Sequence, residues 1–263
     1  MLGQLVAEAM ARVEALQPGA AELERKAESV TPGPRFQTAL KGSNVGIIAE
    51  VKRASPSKGA INRNLHPGDQ ALAFERGGAA AISVLTEPTR FEGSNGDLEA
   101  VKAAVGIPVL KKDFHVDRLQ LLEAKALGSS AALVIVRAIP PRQLAELLVI
   151  GREIDLEILV EVRDERELDL ALSAGAEIIG VNNRDLETLV IDASTVDRIL
   201  PLIPPSCWAI AESGFEARAD IERAAASGAD AILVGSLLSR SADPEATVRS
   251  LAGVTRVPDA RQN

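Results

Sequence analysis

The chain has 263 residues, of which 46% are hydrophobic but only 2% aromatic, so its core must be built from aliphatic side chains. Its net charge of -8 argues against a general affinity for nucleic acid or for an anionic membrane. The single cysteine, Cys207, excludes an internal disulfide, and two separated histidines, His66 and His115, offer no metal-ligand spacing. We therefore expect no metal and a reducing, cytoplasmic location.

The first 45 residues predict a helical extension ahead of the first strand. Apolar side chains recur at helical spacing over residues 3–16, and Pro18-Gly19 ends this helix. A second short helix is predicted over about 20–29. Acidic residues in the first helix and the lack of a basic start argue against a signal peptide, and no apolar run is long enough to cross a bilayer.

From Gly46 onward a short aliphatic run, a polar turn and a helix-period stretch alternate repeatedly. The predicted strands span residues 46–51, 80–85, 107–112, 131–136, 157–162, 177–181, 207–211 and 230–234. The predicted helices between and after them span about 68–77, 97–105, 117–127, 140–152, 165–174, 193–200, 216–227 and 244–252. Eight such units favour one closed (β/α)8 TIM barrel domain over residues 1–263 rather than an open doubly wound sheet.

Polar residues stand at the C-terminal ends of five predicted strands, where barrels of this kind place their active sites. Glu50 and Lys52 end the first strand on one face, because side chains two apart on a strand point the same way. On later strands the corresponding residues are Lys112, Glu161, Asn182 with Arg184, and Glu212. A structural ion pair remains the alternative for Glu50 and Lys52, but five such strand ends together predict a functional pocket.

Small residues after the seventh and eighth strands predict a phosphate site. Ser213-Gly214 and Gly235-Ser236 would let backbone N–H groups and a short helix approach a phosphate, and Ser55 in the first loop would close over it. The alternative is that Gly235-Ser236 only caps the following helix.

Two acids and two lysines in one pocket suit proton transfer. Burial near another cation predicts a lysine pKa below its usual value, so that the lysine can donate and recover a proton. A Schiff-base lysine is the competing role. The sequence contains no P-loop, G-x-G-x-x-G or G-x-S-x-G motif, and we expect no cofactor.

The segment IAEVKRASPSKG at residues 48–59 closely resembles the signature of the indole-3-glycerol phosphate synthase family, (β/α)8 lyases of tryptophan biosynthesis. The likeness continues through residues 85–88, Phe91, 93–94, 112–114, 180–186, 211–214 and 234–236, and covers nearly the whole chain. It implies that the enzyme converts 1-(2-carboxyphenylamino)-1-deoxyribulose 5-phosphate to indole-3-glycerol phosphate. The steps would be ring closure onto the ketone carbon, loss of CO2 and loss of water.

The resemblance also implies roles for the pocket residues. Lys112 would protonate the ketone oxygen during ring closure, and Glu161 would be the acid/base of the dehydration. Glu50 and Lys52 would orient the substrate, with Lys52 near the carboxylate or helping the dehydration. The other implied contacts are Asn182 and Arg184 to the hydroxyls and ring region, Glu212 to the lysines, Phe91 and Phe114 to the aromatic ring, and Ser55, Ser213, Gly214, Gly235 and Ser236 to the phosphate. The N-terminal helices would cover the pocket.

Three departures from the family pattern lie mostly outside this set. His115 stands where an aliphatic residue is usual, Arg163 where histidine is common, and residues 62–64 replace a more acidic stretch. They bear on loop closure and turnover rate rather than on the reaction class.

Two alternatives stay open. Another phosphosugar barrel, such as phosphoribosylanthranilate isomerase, would need neither two lysines on separate strands nor a long N-terminal extension. A non-catalytic barrel that only binds phosphorylated ligands would have no reason to keep charges buried. We expect the protein to be a monomer that takes a small phosphorylated substrate and binds neither nucleic acid nor membrane.

Overall fold

A computed structural model describes residues 1–31, 33–257 and 260–261. Its main sheet is a closed barrel of eight parallel strands, in which the first strand pairs with both the second and the last. The strands are β1 (Gly46–Val51), β2 (Ala81–Leu85), β3 (Val109–Lys112), β4 (Ala131–Ile135), β5 (Glu157–Val162), β6 (Ile178–Asn182), β7 (Trp208–Glu212) and β8 (Ala231–Val234). The predicted barrel is confirmed, and no strand end differs from its predicted position by more than two residues.

Helices alternate with the strands and surround the barrel. They are α1 (Leu2–Leu16), α2 (Ala20–Ser29), α3 (Phe36–Ala39), α4 (Pro67–Arg76), α5 (Asn95–Ala104), α6 (Arg118–Ala126), α7 (Pro141–Glu153), α8 (Glu165–Ser173), α9 (Ser194–Ile199), α10 (Arg218–Ala226), α11 (Ser236–Arg240) and α12 (Pro244–Leu251). The sequence did not predict α3, α11 or the small hairpin that pairs Ala54–Ser55 with Gly59–Ala60 in the first loop. None of the helices in the described part of the chain is both long and apolar enough to cross a membrane.

Tight loops return the chain from each helix to the next strand. Gly175 and Gly228, which follow α8 and α10, have φ of 84° and 97°, a left-handed conformation that glycine adopts without steric cost. The strands that follow, β6 and β8, are covered on both faces and buried at every residue, as is β4. The aliphatic composition of these runs therefore reflects helices packed outside and side chains packed inside the barrel.

The strand register brings the polar strand ends to one level at the C-terminal mouth. Glu161 on β5 is opposite Gly180 on β6, and Asn182 on β6 is opposite Glu212 on β7. Because the strands are parallel and the barrel is closed, residues from distant parts of the sequence face a common centre.

The N-terminal extension runs from one end of the barrel to the other. The first turns of α1 bring Met1 and Leu5 to the pocket at the C-terminal mouth. The side chain of Phe36 in α3 is fully buried, and its backbone N–H donates to the Glu157 carboxylate at the start of β5. Among the described residues of the extension, Met1 and Leu5 therefore line the pocket, whereas α3 lies at the opposite end of the barrel.

Candidate active site

One pocket opens at the C-terminal mouth of the barrel. The sequence-predicted residues that line it are Glu50, Lys52, Ser55, Phe91, Lys112, Phe114, Glu161, Asn182, Arg184, Ser213, Gly214, Gly235 and Ser236. Glu212 is the predicted residue that does not line it: its side chain is fully buried behind Lys112. The structure therefore brings these strand ends together and gives Glu212 contact with a lysine rather than with the open pocket.

Acidic and basic side chains alternate along a line through the pocket. Glu50 Oε1 lies 2.7 Å from Lys52 Nζ, and its Oε2 lies 3.4 Å from Lys112 Nζ. Lys112 Nζ in turn lies 2.7 Å from Glu212 Oε2. Glu50 therefore joins the two lysines, and both ammonium groups are held in place before any ligand binds.

Neighbouring charges determine the direction of the pKa shifts of Glu50 and Lys112. Burial alone would raise the pKa of Glu50, but the ammonium groups of Lys52 and Lys112 outweigh burial and hold that pKa below its usual value. Burial alone would lower the pKa of Lys112, but three surrounding carboxylates, with Glu212 the strongest influence, raise it instead. The predicted lowering of a lysine pKa is therefore wrong for Lys112, because its neighbours are mainly anions.

Glu161 is the carboxylate whose protonation changes near neutrality. Burial and the negative charge of Glu212 raise the pKa of Glu161 to about 7, against the opposing effects of Lys112 and a hydrogen bond from Asn182. Within the described residues, Glu161 forms no ion pair within 4.0 Å. It can therefore either give or accept a proton at ordinary pH.

Asn182 and Arg184 organise the loop after β6. The Asn182 Oδ1 accepts a 2.8 Å hydrogen bond from the Arg184 backbone N–H. The Arg184 guanidinium donates to the Leu189 carbonyl at 2.9 Å, and burial lowers its pKa. Both side chains thus face the pocket from a loop that their own hydrogen bonds hold.

Asn183 is a residue that the sequence reasoning did not select. Its Nδ2 donates to the Ser213 carbonyl at 3.0 Å, and its Oδ1 accepts from the Val196 backbone N–H at 3.0 Å. Ser213 and Gly214 have φ of 69° and 87°, so this turn is left-handed at two successive residues. The signal was present as the doubled asparagine in NNR, but strand alternation directs the second asparagine away from the pocket.

Ser55 and Gly235 both line the pocket. The Ser55 hydroxyl accepts a 3.3 Å hydrogen bond from the Lys58 backbone N–H, which shapes the first loop. Gly235 faces the charged line so closely that a Cβ there would overlap a Glu50 carboxylate oxygen and lie 2.9 Å from Lys52 Nζ. Glycine at this position is required by the acid–base cluster itself.

The departures from the family pattern have structural roles outside the pocket. His115 is buried, its Nδ1 lies 2.7 Å from the Leu133 carbonyl, and burial lowers its pKa to about 4. Arg163 donates to the carbonyls of Asn182 and Asn183 at 3.1 and 2.8 Å. Arg63, within the less acidic first loop, pairs with a glutamate in the loop after β2 at 2.5 Å.

Metal ligation finds no geometric support in the described part of the chain, where no three His, Cys, Asp or Glu side chains are grouped to hold an ion. The two lysines inside the pocket would also oppose a bound cation.

The chain resembles known proteins in both sequence and fold. The family model described as indole-3-glycerol phosphate synthase matches residues 2–251. Indole-3-glycerol phosphate synthase of Mycolicibacterium smegmatis is 46% identical over 88% of this chain and 85% of the relative. Indole-3-glycerol phosphate synthase 2 of Streptomyces coelicolor is 44% identical over 96% of this chain and 99% of the relative. Thiamine phosphate pyrophosphorylase from Pyrococcus furiosus shares the fold, with a TM-score of 0.61 and 15% identity over 79% of this chain and 93% of that structure.

Proposed function

The chain belongs to the indole-3-glycerol phosphate synthase family, and from that premise we propose how its side chains carry out the reaction. It is a decarboxylating lyase of tryptophan biosynthesis and acts on a small phosphorylated substrate. The substrate is 1-(2-carboxyphenylamino)-1-deoxyribulose 5-phosphate, and the products are indole-3-glycerol phosphate, CO2 and water. The observation that carries the assignment of roles is the line of two carboxylates and two lysines beside a glutamate that titrates near pH 7.

Lys112 is the general acid of ring closure. The aromatic carbon that bears the carboxylate attacks the ketone carbon, and the ketone oxygen gains negative charge as the bond forms. Lys112 carries a proton at neutral pH and is aimed by Glu50 and Glu212, so it can donate to that oxygen. An alkoxide is a stronger base than an amine, so even a firmly held proton is transferred as closure completes.

Glu161 acts in the dehydration that follows loss of CO2. The step removes one proton and one hydroxyl group, so it needs a base and an acid. Glu161 is the base because its pKa of about 7 leaves much of it ionised at neutral pH. Lys52 either assists the hydroxyl to leave or binds the substrate carboxylate before CO2 is lost, and Asn182 orients Glu161 by a hydrogen bond.

The remaining pocket residues bind the two ends of the substrate. Phe91 and Phe114 flank the aromatic ring, and stacking contacts of this kind are worth about 0.5–1.5 kcal/mol beyond burial. Arg184 binds the ring region and hydroxyls, whereas Glu212 acts through Lys112. The phosphate is bound by Ser55, Ser213, Gly214, Gly235 and Ser236.

The direct test compares wild type with Lys112→Ala by the appearance of indole fluorescence. We expect kcat to fall about 10³-fold in the variant while substrate binding is retained, because a general acid contributes roughly 10²–10⁴-fold. Lys26→Ala, on the exposed surface of α2, is the matched control and should keep wild-type activity. A wild type that binds the substrate without forming indole would favour the non-catalytic barrel and overturn the proposal.

The location and assembly of the enzyme belong to the same proposal. A cytoplasmic location is supported by the single cysteine, Cys207, which has no partner for an internal disulfide. A monomer is supported by the pocket, whose proposed binding and catalytic groups all come from one chain.

A further inference from the structure

Arg12 extends from α1 toward two buried carboxylates on separate loops. Its Nη2 lies 2.6 Å from Asp113 Oδ1, and its Nη1 lies 3.9 Å from Glu87 Oε1. The Arg12 side chain is 29% exposed, whereas those of Asp113 and Glu87 are 6% and 1% exposed.

Glu87 shapes the loop that carries Phe91. Its carboxylate accepts backbone hydrogen bonds from three successive positions, Thr89 at 2.8 Å, Arg90 at 2.7 Å and Phe91 at 3.0 Å. A buried carboxylate that accepts several N–H groups fixes the local backbone, because releasing any of these groups would leave it without a partner. The position of the Phe91 ring therefore depends on where the Glu87 carboxylate is held.

Asp113 fixes the backbone at the second aromatic residue, Phe114, in a similar way. Its Oδ1 accepts the Phe114 backbone N–H at 2.8 Å, and its Oδ2 accepts the Thr86 hydroxyl at 2.7 Å. Asp113 also follows Lys112 directly in the chain. Thr86 precedes Glu87, so the two loops already touch at this point, and Arg12 is the cation that lies against both carboxylates.

We propose that Arg12 is a positioning residue that sets the spacing between Phe91 and Phe114, and so the affinity for the carboxyphenylamino ring of the substrate. The inference rests on the proposed function, because it assigns these two rings to the substrate. Without Arg12, the two buried carboxylates would lose the cation that they share, because Lys111, 4.0 Å from Asp113 Oδ2, would remain beside Asp113 alone. The loop ends would then separate, and the slot between the rings would widen.

A second contact joins the same helix to the same loop. The Arg90 guanidinium donates to Gln4 Oε1 on α1 at 2.8 Å. Gln4 lies about two turns before Arg12 on α1, so this helix contacts the loop that carries Phe91 at two separate points.

The experiment measures binding and turnover separately in the full chain. The probe for binding is a substrate analogue in which the ketone is reduced to an alcohol, so that the ring cannot close. Its binding is measured through the fluorescence of its aminobenzoate group. In Arg12→Met we expect the Kd of the analogue and the KM of the substrate to rise about tenfold, while kcat changes less than threefold. In Arg12→Lys, the Kd of the analogue and the KM of the substrate should rise about threefold. A lysine keeps the positive charge but lacks the planar guanidinium that can contact two carboxylates at once.

Arg118→Met is the matched control. Arg118 forms an ion pair with Glu24 that joins α6 to α2, so this variant also loosens the extension but touches neither aromatic loop. We expect its Kd and KM to equal those of the wild type, even if both methionine variants lose similar thermal stability.

The outcomes separate this inference from the proposed function. If the wild type binds the analogue but forms no indole, the proposed function fails while the comparison of Kd values still decides the role of Arg12. An unchanged Kd in Arg12→Met, or an equal rise in Arg118→Met, would overturn the inference. If Arg12→Met does not fold, Arg12→Lys decides: a Kd equal to the wild-type value would contradict the positioning role.

Discussion

At the scale of single residues, the site depends on charges that share one small buried space. Lys112 and Glu161 both have raised pKa values, but for different reasons: anions surround Lys112, whereas Glu161 is buried close to another carboxylate. Only the pKa of Glu161, about 7, lies in the ordinary working range. In the proposed mechanism Lys112 is therefore protonated throughout the ordinary pH range until it donates, whereas the protonation of Glu161 depends on pH.

The pH dependence of turnover should report Glu161. Because a base must be ionised to act, kcat/KM should rise with pH and reach half its maximum near pH 7. The phosphate group of the substrate titrates in a similar range, with a second pKa of about 6. Comparison with Glu161→Gln distinguishes the two groups. The variant should keep any change in kcat/KM that is caused by titration of the phosphate, but it should lose the rise near pH 7. A limb near pH 7 that persists in the variant would assign it to another group.

His115 should make stability sensitive to acid. Its folded pKa of about 4 is below its unfolded value, so the unfolded chain binds the extra proton first and stability falls as pH drops from about 6.5 toward 4. Between pH 7.5 and 5.5, wild type should lose on the order of 1 kcal/mol more unfolding free energy than His115→Leu. Urea unfolding of both proteins at the two pH values measures the difference. Equal losses would show that His115 does not titrate as expected.

At the scale of strands and loops, glycines determine how closely the charged strand ends approach. Gly180 on β6 faces the Glu212 carboxylate, and Gly235 after β8 faces Glu50. At both positions a Cβ would overlap a carboxylate oxygen of the cluster. The sequence predicted Gly235 as a phosphate contact. The packing gives a second reason for glycine at this position, because a larger residue would collide with the Glu50 carboxylate.

Gly235→Ala should therefore impair catalysis more than folding. The added methyl group would displace Glu50 and Lys52, and a misplacement of about 1 Å in an active site costs roughly 10² in rate. We expect kcat/KM to fall about 100-fold, while the melting temperature changes by only a few degrees. Gly3→Ala is the control, because a Cβ at that position on α1 meets nothing within 4 Å. Wild-type activity in Gly235→Ala would contradict the close approach.

At the scale of the whole molecule, a closed barrel gathers its site from nearly the full length of the chain. The pocket is lined from Met1 on the extension to Leu237 near the last strand. All the charged and aromatic groups of the proposed mechanism come from one chain, and we expect a single copy to be active.

Activity per molecule should accordingly be independent of protein concentration. Measurement of kcat from nanomolar to micromolar enzyme, with sedimentation over the same range, tests this expectation. A kcat that rises with concentration would indicate that association completes or stabilises the site.

Much of this arrangement was predictable because it follows from local periodicity. Because side chains alternate along a strand, Glu50 and Lys52 were predicted to share a face, and Glu212 was predicted to point into the barrel at the end of β7. The repeated strand-and-helix pattern predicted eight parallel strands. Parallel strands in a closed barrel must present their C-terminal ends together, so the location of the site followed from the fold. The motifs added the family, which the comparisons show.

The barrel, the family and the group of strand-end residues could thus be read from the chain alone, because each is encoded by short-range pattern or by motif. Which charges meet follows from packing: Lys112 contacts Glu212, a hundred residues away, and Glu212 together with Glu50 and Glu161 reversed the expected direction of the Lys112 pKa shift. Packing also brings Arg12, on the first helix, to Asp113, which directly follows the third strand. Such contacts depend on distances between parts of the chain that are remote in sequence, and these distances are set by packing rather than by any local preference.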